Sequence, residues 1–384
     1  MTLDPQARAL LDAVEQSGSP AFNTLSAVDA RALYDKGAAA VQGSPPQPQE
    51  ITTLSIPGPA GDIPTRVYKP GSDSGVPVLI YFHGGGYVIG SLESHDCVCR
   101  TLCVEANCIV VAVDYRLAPE HKYPAAIDDC WAATRWLAEN AGSLGGDNDR
   151  VAVGGDSAGG NLAAVVCLKA KAAGSPRLVH QLLIYPGTDM SCSFASHETF
   201  GQGYRLTNEL IDWFYALYFE ADSDIDHWQA SPLNADDLSG LPPALVLSAG
   251  FDPLQDEDKA YADKLAQAGV QVKYSHYETM LHGFIAMPGA LDQAKAALLV
   301  ERVGGGAQDV AIQALLHAVA PDQFAVHHRR LLEVGRDALA HDGGHVGVDV
   351  AVGGQLARHE GDAAGGLEGV HIGRTVRIDP RQQR

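Results

Sequence analysis

The chain is expected to fold as a doubly wound α/β sheet, and three features of its sequence carry that expectation. Apolar runs of strand length recur along it, and the middle ones are continuous: Val78-Leu79-Ile80-Tyr81-Phe82 and Ile109-Val110-Val111-Ala112-Val113. Continuous runs suit strands covered on both faces of a mostly parallel sheet. Helix-patterned stretches separate the runs, which is the alternation of an α/β domain. Finally, Gly155-Asp156-Ser157-Ala158-Gly159 stands between a strand pattern and a helix pattern, with small residues where the backbone must turn sharply.

From the start of the chain, Asp4-Pro5 reads as an N-cap and first-turn pair for a helix with Leu10, Leu11 and Val14 at helical spacing. A second helix is expected over 27–41, before the break Ser44-Pro45-Pro46-Gln47-Pro48. Strands are expected at 51–56, 65–68, 78–82, 109–114, 150–153, 181–185, 244–248 and 270–277. Helices belong at 95–106, 125–140, 159–173 and 258–268. Between 185 and 244 strand character fades, and 207–219, with Leu210, Ile211, Trp213, Phe214 and Leu217, reads as an amphipathic helix outside the sheet. The helices of residues 1–50 and an insertion at about 188–232 are expected to cap a catalytic domain spanning 51–302. Phe22, Leu206, Trp213 and Phe214 are the candidates for the lining of that cap.

Residues 303–384 are of another composition, without Lys, Tyr or Trp and rich in Gly, His and Arg. They are expected to be disordered or poorly packed, and the abrupt change resembles translation in another frame. His341 and His345 have a metal-binding spacing, but Gly343 and Gly344 between them break the helix that would bring both to one ion.

Composition narrows the function. The 384 residues carry a formal net charge of −20, which argues against nucleic acid, because phosphates are neutralised by Lys and Arg. Anionic membrane surfaces are disfavoured for the same reason. The first residues lack the basic and apolar regions of a signal peptide, and no apolar run reaches the length of a membrane span. A cytoplasmic protein is expected, and a homodimer is compatible with the sequence. Four of the seven cysteines (Cys97, Cys99, Cys103 and Cys108) crowd together, yet their spacing lacks the paired C-x2-C units of zinc sites. With Cys130, Cys167 and Cys192 they read as small apolar side chains.

The chemistry centres on Ser157. A serine hydroxyl needs a base to become a nucleophile, and a strand–turn–helix setting exposes it at the edge of a sheet. Upstream, His83-Gly84-Gly85-Gly86 can bring backbone N–H groups close to a reacting oxygen. Gly84, Gly85, Gly86 and Ala158 are the candidate oxyanion donors, Gly85 foremost among the glycines. His83 reads as the end of a strand and an anchor for its loop. The base belongs on a loop after the last strand, which selects His282 in Leu281-His282-Gly283-Phe284; His276 falls inside the strand pattern and reads as structural. The orienting carboxylate should follow the preceding strand, which selects Asp252. Asp256 and Glu257 are close rivals, expected to cap the next helix or face solvent. The order Ser157, Asp252, His282 is that of α/β hydrolases.

With these residues the chain resembles the hormone-sensitive lipase family of α/β-hydrolase carboxylesterases. The matching pieces are His83-Gly84-Gly85-Gly86-Tyr87, Asp114-Tyr115-Arg116-Leu117-Ala118-Pro119-Glu120, Gly155-Asp156-Ser157-Ala158-Gly159-Gly160-Asn161, Asp252-Pro253-Leu254-Gln255-Asp256-Glu257 and His282-Gly283-Phe284. The resemblance covers about residues 1–302. It implies an eight-stranded, mostly parallel sheet with helices on both faces, a helical cap and no cofactor. It also implies hydrolysis of short- to medium-chain acyl esters through an acyl-enzyme. Tyr115–Glu120 reads as a structural loop near the site. Such enzymes end near a helix at 290–302, so the tail lies outside the resemblance. The same residues could serve a lipase, deacetylase or amidase, and the family includes plant hormone receptors that bind ligands without a working triad.

Overall fold

The computed structural model describes residues 2–71, 73–220 and 224–298; the expectations for 303–384, including the His341–His345 pair, lie outside these residues. The strands are β1 (Glu50–Gly58), β2 (Gly61–Lys69), β3 (Val76–Phe82), β4 (Ile109–Val113), β5 (Gly146–Asp156), β6 (Gln181–Ile184), β7 (Ala244–Phe251) and β8 (Val272–Leu281). The helices are α1 (Pro5–Gln16), α2 (Ala27–Val41), α3 (Asp96–Ala106), α4 (Ala125–Asn140), α5 (Ala158–Ala173), α6 (Ala195–Phe200), α7 (Asn208–Tyr218), α8 (Gln255–Gln267) and α9 (Asp292–Leu298).

All eight strands form one sheet in the order β1-β2-β4-β3-β5-β6-β7-β8. β1, β2 and β4 pair antiparallel; every later pairing is parallel. Along β3, Val78, Ile80 and Phe82 enter one apolar layer while Leu79 and Tyr81 enter the other. With helices on both faces, each residue of β3, β4 and β7 is buried, which is why these strands read as unbroken apolar runs. One layer takes Ala30 of α2, Leu137 of α4, Leu162 of α5 and Leu265 of α8; the other takes Ala7 of α1, Leu102 of α3 and Ala294 of α9. The N-terminal helix is capped as its sequence suggests: Asp4 accepts from the N–H groups of Gln6 and Ala7, with Pro5 at the first helical position.

Three boundaries differ from expectation in ways that matter for the site. β5 starts at Gly146 rather than 150 and runs on to Asp156, so the serine follows the strand directly. β8 continues past 277 to Leu281. Glu278 and Thr279 interrupt its apolar pattern, yet Met280 and Leu281 are buried and Leu281 pairs with Phe251. Helix α8 begins at Gln255, three residues before its expected start, which places Asp256 and Glu257 in its first turn.

Candidate active site

Ser157 sits between β5 and α5 with φ +54° and ψ −122°. A non-glycine residue held in such a region costs about 1–3 kcal/mol, supplied by the surrounding structure. Here the strand, the helix and a bond from the Ser157 N–H to the Ile184 carbonyl (2.8 Å) fix the turn. The helix approaches the end of β3 so closely that a Cβ on Gly159 would collide with the Phe82 carbonyl.

The structure brings Ser157, Asp252 and His282 together. Asp252 follows β7 and is fully buried. Its Oδ1 accepts the Leu254 N–H at 2.9 Å, and its Oδ2 lies 2.6 Å from His282 Nδ1. A carboxylate only accepts, so Nδ1 carries the proton there. That leaves Nε2, 2.8 Å from Ser157 Oγ, free to accept the hydroxyl proton. A hydroxyl aligned in this way on an imidazole that a buried carboxylate orients can lose its proton while it attacks a carbonyl carbon. Because β8 runs to Leu281, His282 is the residue at which the strand ends. His276 stays within β8, with Nδ1 2.7 Å from Ser248 Oγ.

Gly85, Gly86 and Ala158 line the same cavity as Ser157 and His282. Gly85, at φ +127°, is packed where a Cβ would strike the Ile89 carbonyl. Gly84 is placed differently: its N–H donates to Asp156 Oδ1 at 3.0 Å, so that donor is already engaged. Asp156 also accepts from the Tyr81 hydroxyl at 2.7 Å and lies 3.2 Å from His95 Nε2. Burial works against its charge, but His95 and Tyr81 outweigh burial and hold the carboxyl below its usual range. His83 anchors the loop: Nδ1 donates to the Gly84 carbonyl at 2.8 Å, and its ring stacks on Tyr115, whose hydroxyl donates to the His83 carbonyl. Burial, with His95 nearby, pushes the His83 ring down to about 4 and keeps it neutral.

Sequence reasoning did not single out Asp156, Tyr81 and His95 as a unit. The available signal was a charged residue ending the buried second half of β5. Nor does Glu257 face solvent as expected. It is fully buried, its Oε1 accepting from the N–H groups of Thr188 (2.6 Å) and Asp189 (3.2 Å) and its Oε2 3.3 Å from His197 Nε2. Asp256 accepts the Ser196 N–H at 3.0 Å, at the start of α6, rather than capping its own helix. Counted at helical spacing, Glu257, Tyr261 and Leu265 share the buried face of α8, which the later expected start concealed.

The cavity above Ser157 is lined from both segments outside the sheet. Phe22 and Tyr34 come from the N-terminal segment; Arg205, Leu206, Leu210, Ile211 and Phe214 come from the stretch before and within α7. Trp213 is not part of this lining and packs against Phe214. Among the described residues, no three His, Cys, Asp or Glu are grouped so as to hold a metal ion, and no helix is long and apolar enough to cross a membrane.

Comparison with known proteins gives the family of the chain. The profile of the α/β hydrolase fold family matches residues 79–286. Carboxylic ester hydrolase LipN of Mycobacterium tuberculosis is 43% identical over 291 residues, 74% of this chain and 77% of that protein. An ethyl acetate hydrolase of Pseudomonas putida is 39% identical over 311 residues, 78% of this chain and 97% of that protein. Among solved structures, an ester hydrolase from the metagenome of Lake Arreo superposes with a TM-score of 0.75 at 45% identity, covering 77% of this chain and 96% of that one. An esterase of Pyrobaculum calidifontis gives 0.73 at 38%, covering 78% and 96%. The chain belongs to the α/β-hydrolase fold family, and within it is a serine-type carboxylic ester hydrolase acting on small esters.

Proposed function

We propose that Ser157 is the nucleophile, His282 the general base and acid, and Asp252 the orienting carboxylate in hydrolysis of short- to medium-chain acyl esters. The observation that carries this reading is the continuous chain of bonds from Asp252 through His282 to Ser157 Oγ. His282 Nε2 takes the hydroxyl proton as Oγ attacks the ester carbonyl. The N–H groups of Ala158, Gly85 and Gly86 receive the oxyanion, while Gly84 holds their loop through Asp156. The tetrahedral intermediate expels the alcohol, which takes its proton from His282 and leaves an acyl-serine. Water activated by the same nitrogen then releases the acid, with Asp252 ionised throughout. Residues 1–50 and about 188–232 form the cap that encloses the substrate, over a catalytic domain of 51–302. The apolar lining supports small acyl groups, as does the ethyl acetate hydrolase similarity. Cytoplasmic residence and a homodimer complete the reading, tested by fractionation and light scattering.

The experiment is hydrolysis of p-nitrophenyl esters from acetyl to dodecanoyl, with Ser157→Ala alongside. Activity peaking at short or middle chains and vanishing in the variant is expected. No activity above the variant for any ester would overturn the reading.

A further inference from the structure

Among the described residues, Arg205 is the only Lys or Arg that lines the cavity above Ser157. Three observations set it apart. Its backbone lies at φ +73°, a conformation unfavourable for any residue with a Cβ. Its guanidinium lies against Gly283, the residue after His282: a Cβ built on Gly283 would stand 3.3 Å from Arg205 Nε and 3.9 Å from Nη2. Its charge is not matched by an acid, because among the described residues it forms no ion pair with Asp or Glu.

The hydroxyl of Tyr34 on α2, in the same lining, feels the charge of Arg205. Burial pushes that hydroxyl up to about 12, so it is neutral and brings no negative charge. The one carboxylate among the described lining residues, Asp156, is engaged by Tyr81, Gly84 and His95. The remaining lining from the cap is largely apolar. A guanidinium in such a wall offers paired donors suited to a carboxylate.

Position then says which part of a substrate would carry that carboxylate. In the mechanism proposed above, on which this inference rests, the leaving oxygen takes its proton from His282. The alcohol portion therefore lies on the His282 side, where Gly283 and Arg205 are. We propose that Arg205 is a specificity-determining residue that binds a carboxylate on the alcohol portion, so that acylated hydroxy acids are favoured esters. The net charge of −20 does not forbid this. Salt screens charges beyond about 8–10 Å, so the nearest cation dominates inside the cavity.

The test compares two isosteric substrates in one enzyme: 2-acetoxypropanoate, which is charged, and 2-acetoxypropanamide, which is not. Acetate release gives kcat/KM for each with the wild type, Arg205→Gln and Arg205→Lys. Any general damage to the cap cancels in the charged-to-neutral ratio. The wild type should favour the carboxylate, and Arg205→Gln should lower the ratio about tenfold, the scale of a charge-assisted pair at a partly open site. Arg205→Lys should restore part of it, and added salt should narrow the difference. An equal ratio in wild type and Arg205→Gln would overturn the proposal, as would wild-type hydrolysis of p-nitrophenyl esters with no turnover of the carboxylate. Failure with every ester, p-nitrophenyl esters included, would instead remove the hydrolytic reading beneath it.

Discussion

Two of the buried histidine–carboxylate pairs among the described residues do different things. Asp252 follows β7 and holds His282; Glu257, in the first turn of α8, holds His197. The residue types are nearly the same, and both acids are fully buried. What differs is the next atom along. Beyond His282 lies the hydroxyl of Ser157 at the cavity. Beyond Glu257 lie the backbone N–H groups of Thr188 and Asp189, so that pair fastens the insertion to α8. A paired carboxylate becomes part of a reaction only where its histidine has a nucleophile to act on.

The largest expected effect separates the two acids by rate. Asp252→Asn should lower kcat by about 10⁴, because the wrong tautomer of His282 then faces Ser157. Glu257→Gln should cost less than about tenfold, since it touches no reacting atom. Measured with p-nitrophenyl butyrate, the reverse ranking would break the comparison.

Stability should rank them the other way. Glu257→Ala leaves His197 and two amide groups without their acceptor, and breaking a buried pair costs about 3–5 kcal/mol. Denaturant unfolding checks this; a loss below about 1 kcal/mol would mean the pair does not fasten the insertion.

A third distinction is in pH. Burial works against charge on His197, but Cys192 and Glu257 beside it outweigh burial and raise its pKa to about 10. Burial also pushes Glu257 upward, while His197 and the two amides pull it back. A histidine raised in this way contributes stability that is full below about 6.5, its ordinary value, and is lost as pH climbs through about 10. Tm should therefore fall across that interval, and fall less steeply in Glu257→Gln. Parallel slopes would show that the charge on His197 is not held by Glu257.

The smallest effect concerns the two histidines of the β8 region. His276→Gln removes a bond to Ser248 and should cost about 1 kcal/mol of stability, with kcat left near the wild-type value. A large loss of kcat would mean that the strand, rather than its end, supplies the base.

Much of this was legible in the sequence where one local pattern was enough. The continuous apolar runs marked β3 and β4, because burial on both faces leaves no polar position to confuse the period. Ser157 was marked by the small residues its turn requires. What stayed hidden were groups whose partners lie far along the chain. Glu257 looks like a first-turn acid until Thr188 and His197 are brought to it. Asp156 looks like a linker residue of the serine motif until Tyr81, Gly84 and His95 close around it. The end of β8 was missed because Glu278 and Thr279 break the pattern on a strand whose outer residues are half exposed.

The most direct measurement is covalent labelling with an alkyl p-nitrophenyl phosphonate, followed by intact mass and peptide mapping. One phosphonyl group on the peptide containing Ser157 is expected, formed much more slowly in Asp252→Asn and at close to the wild-type rate in Glu257→Gln. A label on another residue, or labelling slowed in Glu257→Gln but not in Asp252→Asn, would contradict the assignment of Ser157, His282 and Asp252 as the reacting set.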